Sequence, residues 1–212
     1  MTTPLVIIGC GGFGREVFNI VQAVNGNRAQ WDVEGFIDDC PTGENVQRVS
    51  ALGSSHIRNV QALARRGRPF NALVTIGVPA ARAAIVGRLA SAAVTLPVLL
   101  HPDATAGPDV VVGPGSIVSV GSRLSTTIVV GEHVHIDENV AVGQDSRIGD
   151  FARLNPQACV SGSVAVSTRS VVGASATILQ CVSVGGDAVV GAAACVIRSV
   201  PNGPIVKGVP AP

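Results

Sequence analysis

Residues 142–178 read VGQDSRIGDFARLNPQACVSGSVAVSTRSVVGASATI. Every sixth residue is a large aliphatic: Val142, Ile148, Leu154, Val160, Val166, Val172 and Ile178. Four places after each of the first six stands a small or β-branched residue: Ser146, Ala152, Ala158, Val164, Ser170 and Ala176. Carried outward, the step of six holds from Leu100 to Val196. Sixteen of its seventeen positions are Val, Ile or Leu, with Ala106 the exception. A helix face repeats every ~3.6 residues and a strand alternates, so neither explains this period. A narrow coil does. Each hexad supplies a short strand and a turn, and three hexads close one triangular turn of eighteen residues. Its interior takes one aliphatic and one small residue per hexad, while neighbouring coils complete the backbone hydrogen bonds. Seventeen hexads predict between five and six coils of a narrow parallel β-helix over residues 98–212.

Composition divides at the same place. The 212 residues are 47% hydrophobic, 3% aromatic and 14% charged, the last well below the roughly 25% of an ordinary domain. Phe13, Phe18, Trp31, Phe36 and Phe70 lie in the first third, and only Phe151 follows. A ring does not fit the coil interior, so the aromatic deficit belongs to the repeat. High hydrophobicity with little charge excludes disorder. A net charge of +1 gives no footing for nucleic acid or an anionic membrane. Glycine or a polar residue breaks each apolar run before about 18 residues, so no membrane span is expected. MTTPLVIIGC at 1–10 runs into a glycine loop rather than a signal-peptide pattern, which predicts a cytoplasmic protein. Cys10, Cys40, Cys159, Cys181 and Cys195 are odd in number and without a ligand spacing. Reduced thiols and no metal site are therefore expected.

Residues 1–97 alternate strand-like and helix-like stretches. Strands are predicted at 5–8, 33–37 and 73–76, and helices at 15–24, 56–66 and 80–92. That order implies a parallel α/β sheet of Rossmann-like type. Gly9-Cys10-Gly11-Gly12-Phe13-Gly14 leaves the first strand and opens the first helix, the context in which backbone N–H groups meet phosphate. Asp38 and Asp39 close the second strand, where an acid bonds ribose, and Gly77 follows the third. About 97 residues suit a nucleotide sugar better than a dinucleotide. A glycine turn that merely packs helix on strand is the plain alternative.

The segments IIGCGGFGREV (7–17), FIDD (36–39), TIGVPAAR (75–82), HPDA (101–104), IGDFARLNPQACVSGSV (148–164) and VPNGPIVKGVPAP (200–212) together carry a family likeness. The chain resembles the sialic-acid O-acetyltransferase and UDP-4-amino-sugar N-acetyltransferase family of hexapeptide-repeat acyltransferases. The resemblance implies that the β-helix is left-handed, with a homotrimer holding acetyl-CoA between neighbouring β-helices and a nucleotide-linked amino sugar as acceptor. It places Gly11, Gly12, Phe13, Asp38, Asp39 and Gly77 at nucleotide-sugar positions, and Gly162, Ala174 and Ala192 at acetyl-CoA. It also exposes a departure. Gln144 stands where the family has its general-base histidine, with the orienting acid retained as Asp145. Arg153 replaces a second histidine at the cofactor's thioester. His135, eighteen residues before Arg153, is the expected surrogate base. Against that, His133 and His135 read as solvated residues of an outer face, and His101 as a cap at the junction. The expected activity is acyl transfer to an amino group. The alternative is a weak or inactive relative that binds nucleotide sugar or acyl-CoA as a biosynthetic partner.

Overall fold

The computed structural model describes residues 2–211, and the chain forms two compact units that part between Pro97 and Val98. The first holds β1 (Thr3–Ile8), α1 (Gly12–Asn27), β2 (Trp31–Ile37), α2 (Gly43–Ala51), β3 (His56–Arg58), α3 (Val60–Ala64), β4 (Phe70–Val74), α4 (Pro79–Leu89) and β5 (Val94–Thr95). The sheet is parallel throughout, in the order β3-β2-β1-β4-β5. β1 lies at its centre, and Leu5 to Ile8 are fully buried. An unbroken apolar run is what a strand covered on both faces requires.

The helix expected at 56–66 divides in two. Residues 56–58 pair with β2, Phe36 opposite His56 and Ile37 opposite Arg58. Asn59 then starts α3, its side-chain oxygen accepting from the Ala62 N–H at 2.8 Å. α2, absent from the sequence reading, begins at Thr42, whose hydroxyl accepts from the Asn45 N–H at 3.2 Å. In both places the capping residue is the boundary signal.

Gly14 brings α1 down onto the end of β1, and a Cβ there would overlap the Gly9 carbonyl oxygen. A Cβ on neighbouring Gly12 would meet open space. Gly14→Ala is accordingly expected to cost about 1–3 kcal/mol of stability, and Gly12→Ala within about 0.5 kcal/mol. Denaturant midpoints of the two variants check the contrast.

The second unit is a left-handed β-helix with three parallel faces of six, five and seven strands. Up to Val196 each strand pairs with the one eighteen residues on: Arg123 with Ala141, Ala141 with Cys159, Val129 with Arg147, His135 with Arg153; the last step, from Val189 to Ile205, is sixteen. The buried hydrophobic cluster from Val118 onward is built of Val, Ile, Leu and Ala. Leu100 and Ala106 are exposed, because they belong to the first coil, which has no coil beneath it. Four inward positions hold serine, and each hydroxyl is used. Ser116, Ser122, Ser146 and Ser170 donate to the carbonyls of Gly131, Asp137, Ser161 and Gly185, so none of these four hydroxyls is stranded.

The turns share one backbone device. Every sixth residue from Asp109 to Ala193 has φ between +55° and +70°, and only Gly115 and Gly121 of that series are glycine. A left-handed conformation costs a side-chain-bearing residue roughly 1–2 kcal/mol. The cost recurs in each hexad and is offset by the aliphatic stack that the turn makes possible.

Candidate active site

In the first unit, Gly11 precedes α1 with extended backbone (φ −67°, ψ −173°); no side chain caps the helix and no acid stands in its first turn. The positive end of the helix dipole thus meets no acidic side chain in this turn. Gly12 is exposed, whereas Phe13 is largely buried. Asp38 ties this loop to the end of β2. Its Oδ2 accepts from the Cys10 N–H at 2.9 Å and its Oδ1 from the Cys40 N–H at 3.0 Å. Asp39 accepts from the Val60 N–H at 2.9 Å and from Arg88 Nη1 at 2.6 Å. The hydrogen bond from Arg88 is the main reason its carboxyl sits below the usual range.

A small cavity of about 70 Å³ lies here, walled by Gly9, Asp38, Asp39, Val60, Ile76 and Ile85. The structure therefore brings the glycine loop and both aspartates together. Gly77 follows Ile76, and the carbonyls of both accept from Arg82 Nη1. The Cys10 thiol is pushed up to about 11 by burial and then by the nearby Asp38 charge. It stays protonated at neutral pH and is no nucleophile.

The second unit carries a larger groove of about 500 Å³ along its first face and the following corner. Arg123, Ala141 and Cys159 form a ladder on the floor, and Gln144, Ser161 and Gly162 form the corner. Gln144 is exposed, and its amide lies against the Gly162 backbone; a Cβ on Gly162 would overlap it. Asp145, also exposed, occupies the left-handed position of the same turn with φ +60°. Gln144, Asp145 and Gly162 thus share one corner. Ala174 and Ala192 stack eighteen apart at a different corner, between the third face and the first. Sequence reasoning passed over Arg123, Cys159 and Ser161, although the period of eighteen aligns Arg123 and Cys159 with Ala141.

His135 and Arg153 pair with each other on the third face. Each is nine residues from Gln144, half a coil away, so within one chain His135 does not share the Gln144 groove. The two histidines expected to be solvated are buried as well: His133 is 3% exposed and His135 0%. Pointing out of the coil does not place them in water. His135 sits in the ladder between buried Ile117 and Arg153. The His133 ring stacks on Phe151, one coil on, with centroids 5.0 Å apart and planes at 14°. Arg153 donates from Nε and Nη2 to Asp137 Oδ2 at 3.0 and 2.8 Å, and Asp137 is 1% exposed. That guanidinium is engaged in holding a buried carboxylate. His101, at the entry to the coil, accepts from the Asp103 N–H at 3.0 Å, as a junction cap does.

Among the described residues no group of His, Cys, Asp or Glu is arranged to hold a metal ion, and the five cysteines are free. No described helix is long and apolar enough to cross a membrane.

The PglD N-terminal domain family matches residues 4–89. No curated protein matches the chain by sequence. Among solved structures, the acetyltransferase domain of PglB from Neisseria gonorrhoeae FA1090, in complex with acetyl coenzyme A, superposes with a TM-score of 0.90 at 28% identity. That match covers 100% of this chain and 99% of that one. PerB from Caulobacter crescentus, in complex with CoA and GDP-perosamine, gives 0.88 at 26% identity over 100% and 97% of the two chains. WeeI from Acinetobacter baumannii AYE shares the fold at 0.86 and 24% identity, over 100% and 99%. The chain thus carries a match to the PglD N-terminal domain at residues 4–89 and is similar over its full length to these acetyltransferases.

Proposed function

We propose that the protein transfers an acetyl group from acetyl-CoA to an amino group of a nucleotide-linked sugar. The observation that carries this reading is the groove where Gln144 lies over Gly162, in a chain matched end to end by an acetyltransferase domain holding acetyl coenzyme A. Gly11, Gly12 and Phe13 at the start of α1 bind the nucleotide sugar, with Asp38, Asp39 and Gly77 beside them. Gly162, Ala174 and Ala192 offer backbone and small side chains to the donor. A neutral amine attacks the thioester carbonyl, the C–S bond breaks, and the amide nitrogen loses a proton. Gln144 accepts a hydrogen bond from the amine and orients it, and water takes the proton. Positioning of this kind contributes on the order of 7–11 kcal/mol to such reactions, so transfer to an amine proceeds without a histidine. In this reading His135 and Arg153 support the third face, and Asp145 retains its place beside Gln144 without a base to orient.

The exposed Val111 and Val129 on the second face support a homotrimer that covers them, and the free thiols support a cytoplasmic setting. A second reading, binding without turnover, is favoured by one observation: the groove lining contains no His, Asp or Glu. Thiol release from acetyl-CoA with UDP- and GDP-linked amino sugars separates the two. Turnover on any of these acceptors supports the enzyme. Calorimetric binding of acetyl-CoA without turnover supports the second reading, and no binding of either ligand defeats both.

A further inference from the structure

We propose that Arg123 is a specificity-determining residue of the groove, where it holds an anionic group of the acceptor whose nitrogen takes the acyl group. The proposal rests on the acetyl-transfer reading above. Arg123 lies on the groove floor one ladder step from Ala141 and two from Cys159, each step being about 4.8 Å. Ala141 belongs to the same coil as Gln144 and carries only a methyl group, so it leaves open the groove that Arg123 and Gln144 both line.

The electrostatics agree with the geometry. Two other arginines of this unit are already neutralised, Arg153 by Asp137 and Arg169 by Asp187. Arg123 makes no ion pair among the described residues, and no carboxylate lines the groove. Its polar companions are the hydroxyls of Thr105, Ser125 and Ser161. A guanidinium in a hollow with hydroxyls and no acid selects an oxyanion, which it grips through two parallel N–H donors. On an amino sugar that anion has two sources, the anomeric diphosphate or a ring carboxylate.

Arg123→Gln and Arg123→Lys are to be compared with the wild type by thiol release from acetyl-CoA on three acceptors. These are a UDP-linked 4-amino-4,6-dideoxyhexose, the neutral methyl glycoside of that sugar, and the methyl glycoside of a 4-amino uronic acid. Arg123→Gln is expected to lower kcat/KM by roughly tenfold or more on an acceptor that bears the anion, and to leave the neutral glycoside unchanged. Arg123→Lys retains part of the loss, because it keeps the charge but not the fork. Loss on the UDP-linked sugar assigns the diphosphate; loss on the uronic acid assigns the carboxylate. An equal effect on all three acceptors, or none, overturns the proposal. If the wild type acetylates no acceptor, the acetyl-transfer reading fails separately. Titration of the UDP-linked sugar into wild type and Arg123→Gln then decides for Arg123: equal affinity overturns it, and weakening of about tenfold sustains it.

Discussion

Gln144→His is expected to raise kcat for acetyl transfer by roughly 10²-fold or more, the contribution of a positioned general base. It is also expected to add a pH dependence that the wild type lacks. The base works only when neutral, so the rate climbs as pH rises through about 6.5, the ordinary histidine value, and levels off above it. The exposed corner has room for the ring, and Asp145 stands next to it in the same turn. Because the proton moves in the transition state, kcat and kcat/KM rise together while KM stays put. Gln144→Ala, which removes the amide without supplying a base, gives no such gain. Gly162→Ala in the histidine background abolishes it, since the added methyl occupies the space of the side chain at 144. A histidine variant with wild-type kcat at every pH would show that proton removal does not limit the reaction.

The second large effect concerns the coil interior. Leu154→Asp is expected to prevent the β-helix from folding. Leu154 is fully buried in a stack of Val, Ile, Leu and Ala, where the neighbouring backbone groups are already paired from coil to coil. A carboxylate there has no partner and no water, which costs more than about 4 kcal/mol against a typical total stability of ~5–15 kcal/mol. Damage does not stay local, because each coil is the floor of the next. Leu154→Met, close to volume-conserving, stays within about 1.5 kcal/mol of wild type, and Leu154→Phe costs about 1–3 kcal/mol through overpacking. Circular dichroism melts order the series. An aspartate variant that melts within a few degrees of wild type would contradict the packing account.

The period of six was enough to place the strands, the faces and the inward residues from Val118 to Val196, because in a repeat each position is specified many times over. The first unit was legible where a strand is buried on both sides, as at β1, and less so at its margins. There, single capping residues such as Thr42 and Asn59 decide what a short segment becomes, and periodicity cannot develop over nine or five residues. The site divided along the same line. Gln144 over Gly162 is a neighbour relation eighteen residues long, and the coil makes it visible. The burial of His133 and His135 is not written in the period, which says only that they face outward. Whether an outward side chain meets water depends on what lies across it: Phe151 against His133, and Ile117 and Arg153 flanking His135. Asp137 shows the same limit. No pattern in the sequence marks it as the buried partner of Arg153.

The left-handed residue in every turn has one more consequence. Since each hexad up to Val196 pairs with the one eighteen places on, that stretch of the array can lengthen or shorten only by whole turns. A deletion of one residue beyond Gly115 would rotate every later side chain out of phase and aim aliphatics at solvent. The height of the groove above the first coil is thus fixed by counting, like a mark on a ruler. Evolution is free to change the letters at the groove, as at Gln144, but not the spacing that delivers them there.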